Sequence, residues 1–126
     1  MTDQIADLLI RIKNASLIKK EEVRIPYSKM KEAILNIFLR EGFVKNIDIV
    51  DEKGKKTMLV ELKHGKNITH IKQISKPGQR IYARGNNIPK PLRGMGLVVI
   101  STSKGVISSR DAAKEGIGGE LICEIW

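Results

Sequence analysis

The chain has 126 residues, 41% of them hydrophobic, with one cysteine, two histidines and a formal net charge of +9. That length supports one modest core or two very small ones leaning on each other. No apolar run spans a bilayer and the first residues lack the basic-then-apolar order of a secretory signal, so the expectation is a cytoplasmic protein with no membrane partner and an anionic one, nucleic acid first.

Residues 3–14 carry Ile5, Leu8, Leu9 and Ile12 at i, i+3, i+4 and i+7, which predicts a helix; Asp7 and Arg11 are spaced for an ion pair. Val23, Ile25 and Tyr27 alternate with Arg24 and Pro26, a short strand that the proline assigns to an edge or an end. Ser28 is placed to cap a second helix reaching residue 41, with Met30, Ala33, Ile34, Ile37 and Phe38 as its apolar face and Gly42 as its stop. Residues 43–51 and 57–62 then predict a hairpin around Lys53-Gly54-Lys55-Lys56.

Lys63-His64-Gly65-Lys66-Asn67 has the polar character of a linker, and beyond it the helical periodicity largely disappears. Residues 68–75 and 80–84 predict strands joined by Lys76-Pro77-Gly78-Gln79, a pair of turn residues suited to type II. Residues 85–96, with Pro89, Pro91, Gly94 and Gly96, form a long irregular connection. Leu97-Val98-Val99-Ile100 predicts a strand buried on both faces, and Ser101-Thr102-Ser103-Lys104-Gly105 its exit into a tight loop. Ser108 or Ser109 is positioned to cap a short helix at 110–115. A last strand at 120–126 would point Leu121, Cys123 and Ile125 one way and Glu120, Ile122, Glu124 and Trp126 the other. The fold class is therefore α+β, in two small subdomains. An N-terminal α-β-α-β-β unit occupies residues 1–64, and a mostly β unit with one short helix occupies 65–126.

Charge is unevenly distributed. From Leu62 to Arg110 there are ten Lys and Arg and no acid, spread too widely for a disordered polybasic tail and too one-sided for an ordinary surface. Catalytic patterns fail on inspection. Gly94-Met95-Gly96 precedes a strand and lacks the third glycine of a dinucleotide fingerprint, while Gly54-Lys55 and Gly65-Lys66 lack the second glycine and the hydroxyl of a phosphate loop. Cys123 lies on the more apolar face of its strand and reads as an inert core thiol, and Glu120 and Glu124 have no apolar setting to raise a pKa. With one cysteine and only His64 and His70, neither a disulfide nor a zinc-type cluster is expected; no metal, cofactor or catalytic residue is assigned.

An RNA-binding reading uses the same residues with fewer gaps. Lysines and arginines supply attraction to phosphate, Ser101, Thr102 and Ser103 exchange hydrogen bonds with 2′-hydroxyls, phosphates and base edges, and Gly105, Gly118 and Gly119 permit close backbone approach. Lys104 adds the loop's one charge. Glu120 beside RNA must accept from a base amino group, a 2′-hydroxyl or a positioning serine, and Tyr82 can stack on an unpaired base. Lys29, Lys31, Lys53, Lys55 and Lys56 are candidates for backbone contacts from the N-terminal unit.

Taken together, the loop, Gly94-x-Gly96, Val106, Ala112, Ala113, Gly118-Gly119-Glu120, Cys123 and Trp126 resemble the C-terminal signature of a family, the bacterial-type eighth protein of the small ribosomal subunit. Asp3-x-Ile5-Ala6-Asp7, Arg11-Ile12-Lys13-Asn14-Ala15, Ile25-Pro26-x-Ser28-Lys29-Met30-Lys31, Glu41-Gly42-Phe43 and Ser75-Lys76-Pro77-Gly78 extend the likeness over essentially the whole chain. The resemblance implies a non-enzymatic protein that grips an irregular helix in the central domain of the small-subunit rRNA and supports assembly among neighbouring ribosomal proteins. It also implies two α+β subdomains, the C-terminal one making most contacts through Ser101, Thr102, Ser103, Gly118 and Glu120 with Tyr82 beside them, and Lys29 and Lys55 as secondary contacts. Ser109 departs from the pattern, since many relatives carry an acid there. One alternative is a translational repressor that binds a mimic of the rRNA site, its own mRNA included. A remote one is a serine-dependent hydrolase, for which His64 or His70 would have to reach Ser101 or Ser103.

Overall fold

The computed structural model describes residues 3–62 and 68–126. The expected linker, His64 and the boundary drawn between 64 and 65 lie outside the described residues. The chain is α+β, and its contacts separate it into two compact units, one ending at Ile68 and one running from Thr69 to Trp126.

The first unit has the order α1 (Gln4–Leu17), β1 (Glu22–Pro26), α2 (Lys29–Arg40), β2 (Val44–Glu52) and β3 (Lys55–Leu62). Helix α1 starts where it does because the Asp3 carboxylate accepts the N–H groups of Ile5 and Ala6, both at 3.1 Å. Leu8, Leu9, Ile12 and Ala15 form its buried face, and Arg11 pairs with Asp7 at 2.9 Å. Ser28 caps α2 by accepting the Lys31 N–H at 3.1 Å, and Gly42, at φ 87°, ends it.

Of the apolar face expected for α2, Ile34, Ile37 and Phe38 are buried as expected, but the face widens to take in Lys31 and Leu35, whereas Met30 is exposed. Lys31 can occupy this face because its aliphatic stem is buried while its ammonium donates to the Pro26 carbonyl at 3.1 Å. That contact removes Lys31 from the backbone-contact candidates.

Strands β1, β3 and β2 form an antiparallel sheet in that order. Val23 and Ile25 stand opposite Val60 and Met58, and all four are buried. Pro26 ends the edge strand β1, where a missing N–H costs no ladder bond. The turn between β2 and β3 is tighter than expected. Lys53 and Gly54 have φ of 54° and 80°, the two positive values of a type I′ hairpin, so β3 begins at Lys55 and not at residue 57.

The second unit contains β4 (Ile71–Gln73), β5 (Tyr82–Ala83), a 3₁₀ turn (Pro91–Gly94), β6 (Leu97–Thr102), β7 (Gly105–Ser108), α3 (Ser109–Glu115) and β8 (Gly119–Ile125). Its sheet runs β4-β8-β6-β7, with β5 paired to the same flank of β8 as β4. The strands expected at 68–75 and 80–84 are cut short. Their backbones join only through a bridge between Lys76 and Gln79, because the chain loops outward at Pro77-Gly78 and otherwise pairs with β8. Gly78, at φ 86°, supplies the positive φ that the expected type II turn requires.

Leu97 to Ile100 are all buried, as a strand covered on both faces requires. Val98 and Ile100 join Ile88, Ala112 and Leu121 in one apolar cluster on the α3 side of the sheet. The simple alternation expected for β8 fails. Val99 pairs with Cys123 but Ile100 pairs with Leu121, so Ile122 is an inserted residue and the parity slips. Leu121 thereby reaches the face of Ile100, and Glu120 turns to the opposite one.

Candidate nucleic-acid interface

The slip in β8 decides what stands beside what. Tyr82 pairs with Glu120, Glu120 with Ser101, and Ser101 with Val106, so one transverse row crosses four strands. Directly opposed residues share a face, and strands lie about 4.8 Å apart, which puts Tyr82 and Ser101 about 10 Å from each other. The row faces away from the cluster under α3. Its tyrosine is 67% exposed, whereas Ser101 and Glu120 are partly buried.

The hairpin tip lies beyond this row. Ser101 and Thr102 belong to β6, and only Ser103 and Lys104 form the exposed turn. Gly105 closes it at φ 107°, so the positive-φ residue follows the turn's central pair. Thr102 Oγ1 donates to the Gly105 carbonyl at 2.8 Å and accepts the Lys104 N–H at 3.1 Å. That hydroxyl braces the hairpin, which leaves Ser103 and Lys104 as the outward groups.

Gly118 and Gly119 serve the fold first. A Cβ on Gly119 would collide with the Ser101 carbonyl, and one on Gly118 with the Ala83 carbonyl. They let β8 start hard against its neighbours and thereby hold Glu120 in the row.

Sequence reasoning missed two residues here. Arg80 Nη1 donates to Glu120 Oε2 at 3.1 Å, so the carboxylate's partner is a cation and not a serine. Arg80 was visible as one of ten cations, but only the shared flank of β8 reveals its pairing. Ser75 is the other: its buried Oγ accepts the Ile81 N–H at 2.8 Å and donates to the Ile81 carbonyl at 3.2 Å. Both bonds pin the base of the outward loop, and with it Arg80 and Tyr82.

Lys29 and Lys55 are in the first unit, both exposed. The Tyr27 N–H donates to the Lys56 carbonyl at 3.1 Å, which brings the start of α2 and the start of β3 to one end of that unit. Lys29 occupies the first turn of α2, where the helix dipole disfavours a cation. Lys56 has a local partner, its ammonium lying 5.4 Å from the centre of the Tyr27 ring. The Tyr27 hydroxyl donates to Glu32 at 3.1 Å, and that hydrogen bond raises the phenol's pKa.

Among the described residues, the histidine a hydrolase would need is held away from Ser101; His64 lies outside them. His70 stacks on Trp126 with ring centres 3.9 Å apart, and its Nε2 lies 3.3 Å from Glu124, at the end of β8 remote from Ser101. Burial pushes the Cys123 thiol up to about 12, which makes it inert as a nucleophile. Ser108 caps α3, accepting the Asp111 N–H at 3.2 Å. Ser109, buried like Ser108, instead accepts the Val98 N–H at 3.1 Å through its Oγ, so the departing position supports β6.

Comparison with known proteins agrees over the whole length. A family model described as Ribosomal protein S8 matches residues 3–126. The small ribosomal subunit protein uS8 of Clostridium kluyveri is 48% identical over 130 residues, spanning 100% of this chain and 98% of that protein. Its counterpart from Thermus thermophilus is 47% identical over 137 residues, spanning 100% and 99%.

Proposed function

We propose a function from one premise: the chain belongs to the ribosomal protein S8 family. It is a non-enzymatic structural constituent of the small ribosomal subunit, working in the cytoplasmic ribosome among neighbouring ribosomal proteins. Within that role it binds small-subunit rRNA directly, gripping an irregular helix of the central domain and supporting assembly.

The observation that carries the RNA-binding reading is the row Tyr82–Glu120–Ser101 beside the hairpin turn. It offers an exposed ring for stacking, a hydroxyl, and a carboxylate neutralised by Arg80, all on paired strands. Neutralisation matters because a bare carboxylate would repel phosphate, whereas an ion-paired one still accepts from a 2′-hydroxyl or a base amino group. Ser103 and Lys104 extend the site, and the acid-free tract around it attracts the backbone. Thr102, Gly105, Gly118 and Gly119 act mainly by fixing the backbone on which the others stand. Lys29 and Lys55 add contacts to phosphate from the first unit.

A filter-binding measurement of Ser103→Ala tests this assignment. Affinity for the cognate rRNA should fall by about 1 kcal/mol, the scale of one neutral hydrogen bond, with binding to scrambled RNA unchanged. Equal losses on both RNAs would remove Ser103 from the reading surface.

A further inference from the structure

A second basic feature lies on the other side of the same sheet, outside the row. Lys90, Arg93 and Arg110 line a cavity of about 300 Å³ whose remaining walls are Pro89, Gly94, Gly96, Ser109 and Ala113. None of the lining residues is acidic. Lys114 follows Arg110 by four residues on α3, so the two stand on neighbouring turns of one helix face.

The cavity is held in shape at some cost. Leu92 and Arg93 both adopt left-handed conformations, with φ of 50° and 55°, which side-chain-bearing residues rarely occupy. Gly96 is wedged so closely that a Cβ there would meet Pro91 and Trp126 at 3.0 Å. The Gly94 carbonyl accepts from Arg110 at 3.4 Å, linking the strained turn to α3. Several cations with no lining carboxylate are what an anion subsite requires, and strain retained at an exposed turn is a mark of a functional position.

We propose that this cavity holds a phosphate group of rRNA, from a stretch of backbone that passes along the α3 side of the sheet. The inference rests on the rRNA-binding reading and adds a second, separate point of attachment. The hairpin turn lies at the far end of β6, six residues or about 20 Å away, with its row on the opposite face. The phosphate in the cavity therefore belongs to a different nucleotide stretch from the one read by Tyr82, Glu120 and Ser101.

Lysine acetylation of the full chain, read by mass spectrometry, tests this without any substitution. Lys90 and Lys104 are followed in the free protein, in the complex with complete small-subunit rRNA, and in inorganic phosphate at matched ionic strength. Protection of both lysines by rRNA, and of neither by phosphate, is the expected result. Protection of Lys104 alone would overturn the cavity while leaving the hairpin reading intact, and protection of neither would overturn both. Protection of Lys90 by inorganic phosphate alone would make the site one for a free anion and sink its assignment to RNA. As an independent arm, Arg93→Gln should lower the slope of log affinity against log salt on the same RNA by about 0.7–0.9, the value of one lost phosphate contact. An unchanged slope would count against the proposal.

Discussion

The β2–β3 and β6–β7 hairpins each carry a lysine and a glycine near the tip, and they are built on unlike foundations. The β2–β3 hairpin turns through Lys53-Gly54 at positive φ and rests on a nine-residue edge strand whose residues are mostly exposed. Its charges are matched across the strands, Glu52 against Lys55 and Asp51 against Lys56. The β6–β7 hairpin turns through Ser103-Lys104 and rests on β6, whose first four residues are buried. A charge needs little positional accuracy to attract phosphate, but a hydroxyl must be held within hydrogen-bonding distance and angle to discriminate. On the proposed reading, similar tip chemistry does different work according to the strand beneath it.

The largest test attacks the foundation. Gly119→Ala forces a methyl group into the Ser101 carbonyl and should destabilise the second unit by about 3 kcal/mol, the upper end for overpacking, as read by denaturant unfolding. A loss below about 0.5 kcal/mol, the range of ordinary surface substitutions, would show that β8 can shift without harm. Next come the two turn glycines, each with open space around a missing Cβ and a positive φ. Gly54→Ala and Gly105→Ala should each cost about 1–2 kcal/mol of stability, but only Gly105→Ala should also weaken cognate RNA binding. Equal effects on affinity would erase the distinction between the hairpins. The smallest change is expected for Lys55→Ala, which should flatten the salt dependence by about 0.7–0.9 in slope while leaving sequence preference unchanged. A shifted sequence preference would mean that the exposed hairpin also reads bases.

Much of this was legible because it is local. Ser28 announces its helix by capping, Gly42 and Gly78 mark turns, and the apolar run before Ser101 announces a doubly covered strand. What escaped depends on partners distant in sequence. Lys31 joins the buried face of α2 because the Pro26 carbonyl receives its ammonium, which periodicity cannot anticipate. The bulge at Ile122 depends on the register of β6 and reassigns every side chain on its near side. Glu120 was singled out as a carboxylate that needed a partner, but Arg80 could be named only once both were seen against the same strand. Gly118 and Gly119 were attributed to ligand approach when the nearest approaching backbone is the protein's own.

The central position of β8 has a consequence for the order of events in folding. In the first unit β2 finds β3 across a two-residue turn, so that pairing is sequence-local and fast to form. In the second unit β4 and β5 pair with β8 and not with each other, for Ile71 pairs with Ile125 and Tyr82 with Glu120, and only the short loop between them is tied locally. Closing loops of that length must precede any gain from pairing, so a slower refolding phase should belong to the second unit. The row of Tyr82, Glu120 and Ser101 is complete only when β8 is paired on both flanks, so a chain in which β8 has not docked should present lysines to RNA without the proposed reading surface.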